Sequence, residues 1–296
     1  MEYQLGSETA EWVIGSVETN VAARLSAQAA GPASAVVDTH ELTRRFGEIA
    51  AVDHVSLSVG AAEIYGIIGP NGAGKSTLIK MLTTMLPPSS GSARVAGFDL
   101  TTQPSRVRRR IGYVPQLLSA DGELTGYENL LLSARLYLIP RGEREKRIAQ
   151  ALAMMGLTEE RDRLVRQYSG GMIRRLEIAQ STLHRPDVIF MDEPTEGLDP
   201  TGRHAVWNHV RSLRAGFGTA IIVTTHYMEE ADALCDRIAL IDRGRVRAEG
   251  TPGTLKAQAG PNATLDDVFE MLTRVGTERD RYQDVRQTRR AAREHT

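Results

Sequence analysis

The chain is nearly devoid of cysteine: Cys235 is the single thiol. That excludes an internal disulfide framework and a cysteine-rich metal site, and it suits a reducing compartment. Lysine is almost as scarce, occurring only at Lys75, Lys80, Lys146 and Lys256, so positive charge comes from arginine. The formal net charge of -1 gives no global basic field, and no nucleic-acid partner is expected. No run approaches the roughly 20 apolar residues needed to span a bilayer. The opening residues, MEYQLGSETAEWVIGS, lack the apolar centre of a secretory signal. If the protein moves something across a membrane, another chain must supply the passage.

What is present is globular composition, with 41% hydrophobic and 25% charged residues in a chain of 296. Residues 1–34, rich in Ala, Ser, Glu and Gln and ending near Gly31-Pro32, are expected to be a flexible extension. Strands are predicted at Val36-Val37, Val55–Val59, Glu63–Ile68, Ala93–Ala96 and Ile111–Val114. A helix is predicted after Ser76 and is expected to stop at Pro87-Pro88. From about Gly126 to Ala179 the periodicity turns helical, with Gly156 as an internal stop. Val188–Met191 and Ala220–Val223 are short apolar runs suited to buried parallel strands, separated by a helical stretch around Ala205–Leu213. Alternating strands and helices give an α/β architecture. Ile238–Val246 reads as a closing hairpin, and Thr264 with Asp267 marks a final helix start. Residues from Arg279 to Thr296 are arginine-rich and are expected to be a solvated tail.

The strongest local signal is Gly69-Pro70-Asn71-Gly72-Ala73-Gly74-Lys75-Ser76-Thr77. It matches G-x-x-x-x-G-K-[ST] between an apolar strand and a helix. Glycine lets the loop curl so that amide N–H groups face phosphate oxygens, and the helix N-terminus adds partial positive charge. Lys75 suits the β- and γ-phosphates of ATP, Ser76 a Mg2+ position, and Thr77 a further phosphate contact. A second apolar strand ends in Asp192-Glu193. Side chains alternate along a strand, so these acids are expected to take different roles. Asp192 suits the surroundings of Mg2+, and Glu193 the residue that polarises an attacking water.

With these motifs the chain resembles the nucleotide-binding subunit of ABC transporters over roughly Val36 to Arg247. Tyr168-Ser169-Gly170-Gly171-Met172 looks like the family signature, with Met172 where glutamine is usual. The resemblance implies a P-loop ABC-type ATPase domain over residues 35–265. It would comprise a RecA-like core, an N-terminal antiparallel β-subdomain and an α-helical subdomain at about 117–180. Residues 266–296 would add a C-terminal helix and tail.

The resemblance further implies a head-to-tail dimer. Ser169, Gly170 and Gly171 of one copy close the ATP held by the Gly69–Thr77 cradle of the other. Gln116 resembles the glutamine that senses Mg2+ and the attacking water. Asp199, in Gly197-Leu198-Asp199-Pro200, resembles the residue coupling the two sites. His226, after Thr224-Thr225, resembles the switch histidine at the γ-phosphate. Phe46 holds the place of the aromatic that stacks on adenine, with Tyr65 expected instead to pack within the sheet. His184, His204 and His209 are expected to be structural, and Cys235 a small buried filler.

A separate multispanning membrane permease is implied as partner, contacting residues from Leu117 to Leu138. The chain would sit peripherally at the cytoplasmic face of the membrane. The strings YSGGMIRRLEIAQ, TTHYMEEAD and NATLDDVFEMLT resemble the bacterial drug- and antibiotic-export (daunorubicin-resistance-like) branch. Alternatives are a lipid or polysaccharide exporter and a soluble ABC ATPase of translation or repair. Against the soluble reading stand a single cradle, a single signature and no extended heptad run.

Overall fold

The computed structural model describes residues 35–272. The N-terminal extension over residues 1–34 and the tail from Arg279 lie outside the described residues. Two sheets make the frame. The first is antiparallel: β1 (Val37–Phe46), β2 (Ile49–Val55), β3 (Ser58–Val59), β5 (Ser90–Val95) and β6 (Phe98–Asp99), ordered β2-β1-β5-β6 with β3 beside β1. The second is ordered β11-β10-β4-β9-β8-β7. It contains β4 (Ile64–Ile68), β7 (Ile111–Val114), β8 (Val188–Asp192), β9 (Ala220–Thr225), β10 (Arg237–Asp242) and β11 (Arg245–Gly250). Every pairing in it is parallel except β10 with β11.

All residues of β4, β8 and β9 are buried. Their alternation sends Ile64, Ile68, Ile189, Met191, Ile221 and Val223 to one core and Tyr65, Ile67, Val188, Phe190 and Ile222 to another. A parallel sheet covered on both faces requires such uninterrupted apolar strands. One face is covered by α3 (Gly126–Leu136), α4 (Arg141–Met154), α5 (Gly170–Thr182) and α6 (Pro200–Phe217). The other is covered by the antiparallel sheet and α1 (Lys75–Leu82). Shorter helices are α2 (Pro104–Arg108), α7 (Met228–Leu234) and α8 (Pro252–Ala259). Residues 265–272 are helical, and Thr264 Oγ1 caps them by accepting the Asp267 amide at 3.2 Å.

Two expectations need correction. Strand β1, expected only at Val36-Val37, runs on to Phe46, which ends it. The rest of the strand has no clean alternation because Glu41 takes φ 47 and the pairing shifts register there, switching the buried positions from Val37 and Thr39 to Leu42 and Thr43. Such a bulge breaks the alternation that reveals a strand. Helix α1 stops at Leu82, ahead of Pro87-Pro88. The Thr83 amide donates to Ile79, and Thr84 turns left-handed at φ 63. The prolines mark the exit of the following turn, where Pro87 O accepts from Arg44 Nη1 at 2.9 Å.

Candidate functional site

The loop after β4 is shaped from behind by backbone. A Cβ on Gly69 would lie 2.1 Å from Ile241 O, and one on Gly74 would lie 2.1 Å from Ala51 O. Gly74 also takes φ 104, which only glycine adopts freely. The β10–β11 turn, Arg243-Gly244 with both φ positive, braces the loop through Gly244 N to Ala73 O at 2.9 Å. Pro70, Asn71 and Gly72 form the exposed rim, whereas Lys75 starts α1 and is buried. No acidic residue stands in the first turn of α1, so its N–H groups and partial positive charge are open to an anion. Ser76 and Thr77 follow on the same turn.

Lys75 Nζ donates to Gly69 O at 2.7 Å and Pro70 O at 3.2 Å, and lies 3.2 Å from Glu193 Oε1. Glu193 Oε2 is 3.0 Å from His226 Nδ1. One buried carboxylate thus bridges the cradle lysine and the histidine after β9. Asp192 Oδ1 accepts from Ser76 Oγ at 3.1 Å and from Thr224 Oγ1 at 2.6 Å. The same Thr224 hydroxyl accepts the Glu193 amide at 3.0 Å. The two acids do face different partners, but strand alternation is not the whole cause. Asp192 ends β8, and Glu193 leaves the strand with φ 49. A left-handed non-glycine residue stores backbone strain, which the Thr224 contacts hold in place. Thr224 was absent from the residues expected at this site. A strand hydroxyl two residues before the histidine has no spacing signature, although β9 and β8 are adjacent parallel strands.

A second group gathers at the start of α5. Ser169 is its N-cap, accepting from the Met172 amide at 3.3 Å. Gly170 and Gly171 open the helix, again with no acid in the first turn. A Cβ on Gly170 would come within 3.8 Å of Leu198, which places this corner beside Asp199. Asp199 caps α6, its Oδ1 accepting from Gly202 N at 2.8 Å. Ser169, Gly170 and Asp199 are all exposed. Gln116, two residues beyond β7, donates from Nε2 to Glu196 Oε2 at 2.6 Å, on the loop between Glu193 and Asp199. Phe46 is exposed, with the Arg44 guanidinium 4.8 Å from its ring centroid.

The remaining singled-out residues are structural. His184 stacks on Tyr137 at 3.7 Å between centroids and lies 2.9 Å from Ile111 O through Nε2. Burial pushes its pKa down to about 4, so the ring is neutral near pH 7. Burial also lowers the pKa of His209, and His204 packs edge-on against Trp207. Tyr65 lies within the sheet with its hydroxyl on Glu249, and burial raises its pKa. Cys235 is buried, which pushes its thiol up and leaves it inert. Among the described residues no cluster of three or more His, Cys, Asp or Glu could hold a metal, and no helix is long and apolar enough to cross a membrane.

The family profile described as ABC transporter matches residues 52–196. The chain is 48% identical over 243 residues to the daunorubicin/doxorubicin resistance ATP-binding protein of Streptomyces peucetius, covering 82% of this chain and 73% of that protein. It is 42% identical to the Nod factor export ATP-binding protein I of Ralstonia nicotianae, covering 74% and 68%. A solved structure of the ATP-binding subunit of an ABC transporter superposes with TM-score 0.72 at 30% identity, covering 80% of this chain and 99% of that one. Signature, cradle and two-sheet fold agree with these likenesses: this chain belongs to the ABC transporter family, as an ATP-binding subunit that hydrolyses ATP to power transport through separate membrane components.

Proposed function

We propose that this chain powers export of drug-like or antibiotic compounds, and that two copies clamp two ATP molecules between their cradles and signatures. The observation that carries the hydrolytic part is the bridging of Lys75 and His226 by Glu193. Lys75, drawn to the β- and γ-phosphates, leaves Glu193 Oε1 free to orient and deprotonate the attacking water. His226 keeps Nδ1 toward Glu193 and presents Nε2 to the γ-phosphate. The open N-termini of α1 and α5 supply fixed dipoles for the charge on the transferring group. Phe46 offers an exposed ring for adenine, and Asp199 lies at the corner where the second copy meets Ser169.

Mg2+ fits this donor set. Ser76 Oγ and Asp192 Oδ1 are 3.1 Å apart, both hard oxygens, and among the described residues no group of three or more His, Cys, Asp or Glu forms a metal cage. Such a site suits an ion that keeps several waters and takes the rest of its ligands from phosphate. When bound, the ion neutralises charge on the β- and γ-phosphates. Gln116 lies one hydrogen bond from the Glu193–Asp199 loop and is the residue to follow the ion's coordination.

The membrane partner is assigned to the segment from Leu117 to Leu138, in which Leu117, Leu118, Leu132, Leu136 and Leu138 are all exposed. Several large exposed apolar side chains concentrated in one segment favour an interaction site. The cytoplasmic helices of a permease suit it, which sets the chain at the cytoplasmic face of the membrane. Drug export is favoured by the relative named for daunorubicin and doxorubicin resistance. The relative named for Nod factor export keeps a cargo other than a drug as the alternative.

The test is Glu193→Gln. This variant is expected to bind ATP, lose at least about 100-fold in turnover, and accumulate ATP-dependent dimers on size exclusion. Hydrolysis at the wild-type rate would overturn the base assignment. Purification from membranes with a multispanning partner, followed by screening compounds that stimulate phosphate release, decides the cargo.

A further inference from the structure

Helix α5 carries an ion pair that the ATP chemistry does not use. Arg174 and Glu177 lie 3.0 Å apart, each only 2% exposed. Removing two charges from water is costly, and apolar side chains of similar size would anchor a helix at least as well. What the pair does supply is a fixed set of polar contacts. Arg174 Nη1 donates to Pro115 O at 2.5 Å, and Nη2 to Gln116 O at 2.7 Å. Glu177 Oε1 accepts from the Ser119 amide and from Ser119 Oγ at 3.1 Å. The 115–119 segment is therefore tied to α5 at both ends.

The linkage continues outward. The side chain of Gln116, whose carbonyl Arg174 holds, donates to Glu196 Oε2. The Glu196 amide in turn donates to Glu193 O at 3.2 Å. The charges of Glu196 and Asp192 both act on Arg174 and oppose the effect of its burial. A continuous hydrogen-bonded line thus runs from the helix that begins at Ser169 to the loop that begins at Glu193. In a head-to-tail dimer, these two ends of one subunit serve different ATP molecules.

We infer that Arg174, Gln116 and Glu196, braced by Glu177, form an intrachain relay that couples the two ATP sites of the assembled dimer. This rests on the ATP-sandwich reading above. ATP captured against Ser169 fixes the position of α5. Through Arg174 and Gln116 that position is imposed on Glu196, and hence on the loop carrying Glu193 at the other site. Arg174, Glu177 and Glu196 are positioning residues, since none of them reaches a reacting atom.

The experiment is the dependence of steady-state phosphate release on ATP concentration. Glu196→Ala is the first variant, because Glu196 is exposed and its loss leaves the core intact. The second is the matched replacement Arg174→Met with Glu177→Leu, which removes the relay but fills its volume with apolar atoms. Glu196→Gln restores a weaker, uncharged acceptor for Gln116. The wild type is expected to give a Hill coefficient clearly above 1, and Glu196→Ala and the double variant to fall to about 1. Glu196→Gln is expected to lie between. The dissociation constant for ADP, which binds the cradle of one chain, is expected to change less than twofold. Persistence of wild-type cooperativity in both relay variants would overturn the relay. So would a tenfold loss of ADP affinity in Glu196→Ala, since that would put Glu196 in the cradle itself. A wild type that dimerises with ATP yet shows no cooperativity also refutes it. A wild type that never dimerises with ATP refutes the sandwich instead.

Discussion

The Thr224 hydroxyl donates to Asp192 Oδ1 at 2.6 Å from the neighbouring parallel strand, and so fixes the acid beside Ser76. Because it also accepts the Glu193 amide, one buried hydroxyl sets both carboxylates. Thr224→Val keeps the shape but takes from the buried Asp192 carboxylate its shortest hydrogen bond, while the Glu193 amide retains the Thr224 carbonyl at 3.1 Å. Losing a hydrogen bond to a buried charged group costs about 1.5–3 kcal/mol, measurable by urea unfolding. Turnover is expected to fall at least about 10-fold, the equivalent of 1.4 kcal/mol in the barrier. Binding of ATP without Mg2+, which depends on the cradle, is expected to stay near wild type. Unchanged phosphate release at saturating Mg2+ would remove Thr224 from the site.

The cradle glycines separate two physical effects. Gly72 and Gly74 both have positive φ, at 81 and 104. A Cβ on Gly72 meets nothing within 4 Å, whereas one on Gly74 strikes Ala51 O. Gly72→Ala is expected to cost only the left-handed conformation, about 1–2 kcal/mol, with ATP affinity within a few-fold of wild type. Gly74→Ala must displace either β2 or the loop, and ATP affinity is expected to drop more than 10-fold. Fluorescent-nucleotide titration of both variants checks this, and equal affinities would mean that the clash at Ala51 is relieved without moving the loop.

Much of this was open to sequence reasoning, for reasons visible in particular residues. Strands β4, β8 and β9 are buried on both faces, so each is an apolar run that stands out. The cradle is local in sequence, and so is the start of α5. What stayed hidden depends on contacts between distant segments or on backbone irregularity. The bulge at Glu41 disguised β1 beyond its first residues. The left-handed turn at Glu193, not the pleat alone, separates the two acids. Arg174 and Glu177, opposite charges three residues apart, look like an ordinary solvated helix face until the 115–119 segment is seen to cover them. The side-chain partner of Gln116 is 80 residues away at Glu196, and no spacing rule announces it.

His184 gives a pH prediction that is separate from catalysis. Its folded pKa of about 4 lies below the ordinary histidine value of 6.5, because burial disfavours the charged ring. Between these values the unfolded chain binds the proton and the folded protein does not. Stability is therefore fully present above about pH 6.5 and declines as pH falls toward 4. The loss between pH 7 and pH 5 is expected to be about 2 kcal/mol from this ring. His184→Gln cannot titrate, so the difference in pH dependence between wild type and variant, followed by urea unfolding, isolates the effect. Parallel curves for the two proteins would show that the Tyr137–His184 stack admits a charged ring.

Ser169 caps its helix, and under the proposed ATP clamp it has a second, separable duty as phosphate ligand. Its hydroxyl accepts the Met172 amide, and aspartate performs that capping duty equally well. Ser169→Asp should thus hold unfolding stability within about 0.5 kcal/mol of wild type, since aspartate and serine rank alike as N-caps. The added negative charge nevertheless sits where the partner's γ-phosphate must approach, and like charges there oppose closure. ATP binding to the monomer is expected to survive, while ATP-driven dimerisation of the Glu193→Gln background is expected to disappear. Ser169→Ala gives the reverse balance. It loses the cap, at about 1 kcal/mol, but adds no charge, so dimerisation should weaken without vanishing. Analytical ultracentrifugation of the two double variants with ATP distinguishes these outcomes. Full dimerisation of the aspartate variant would place the γ-phosphate contact elsewhere than at the start of α5.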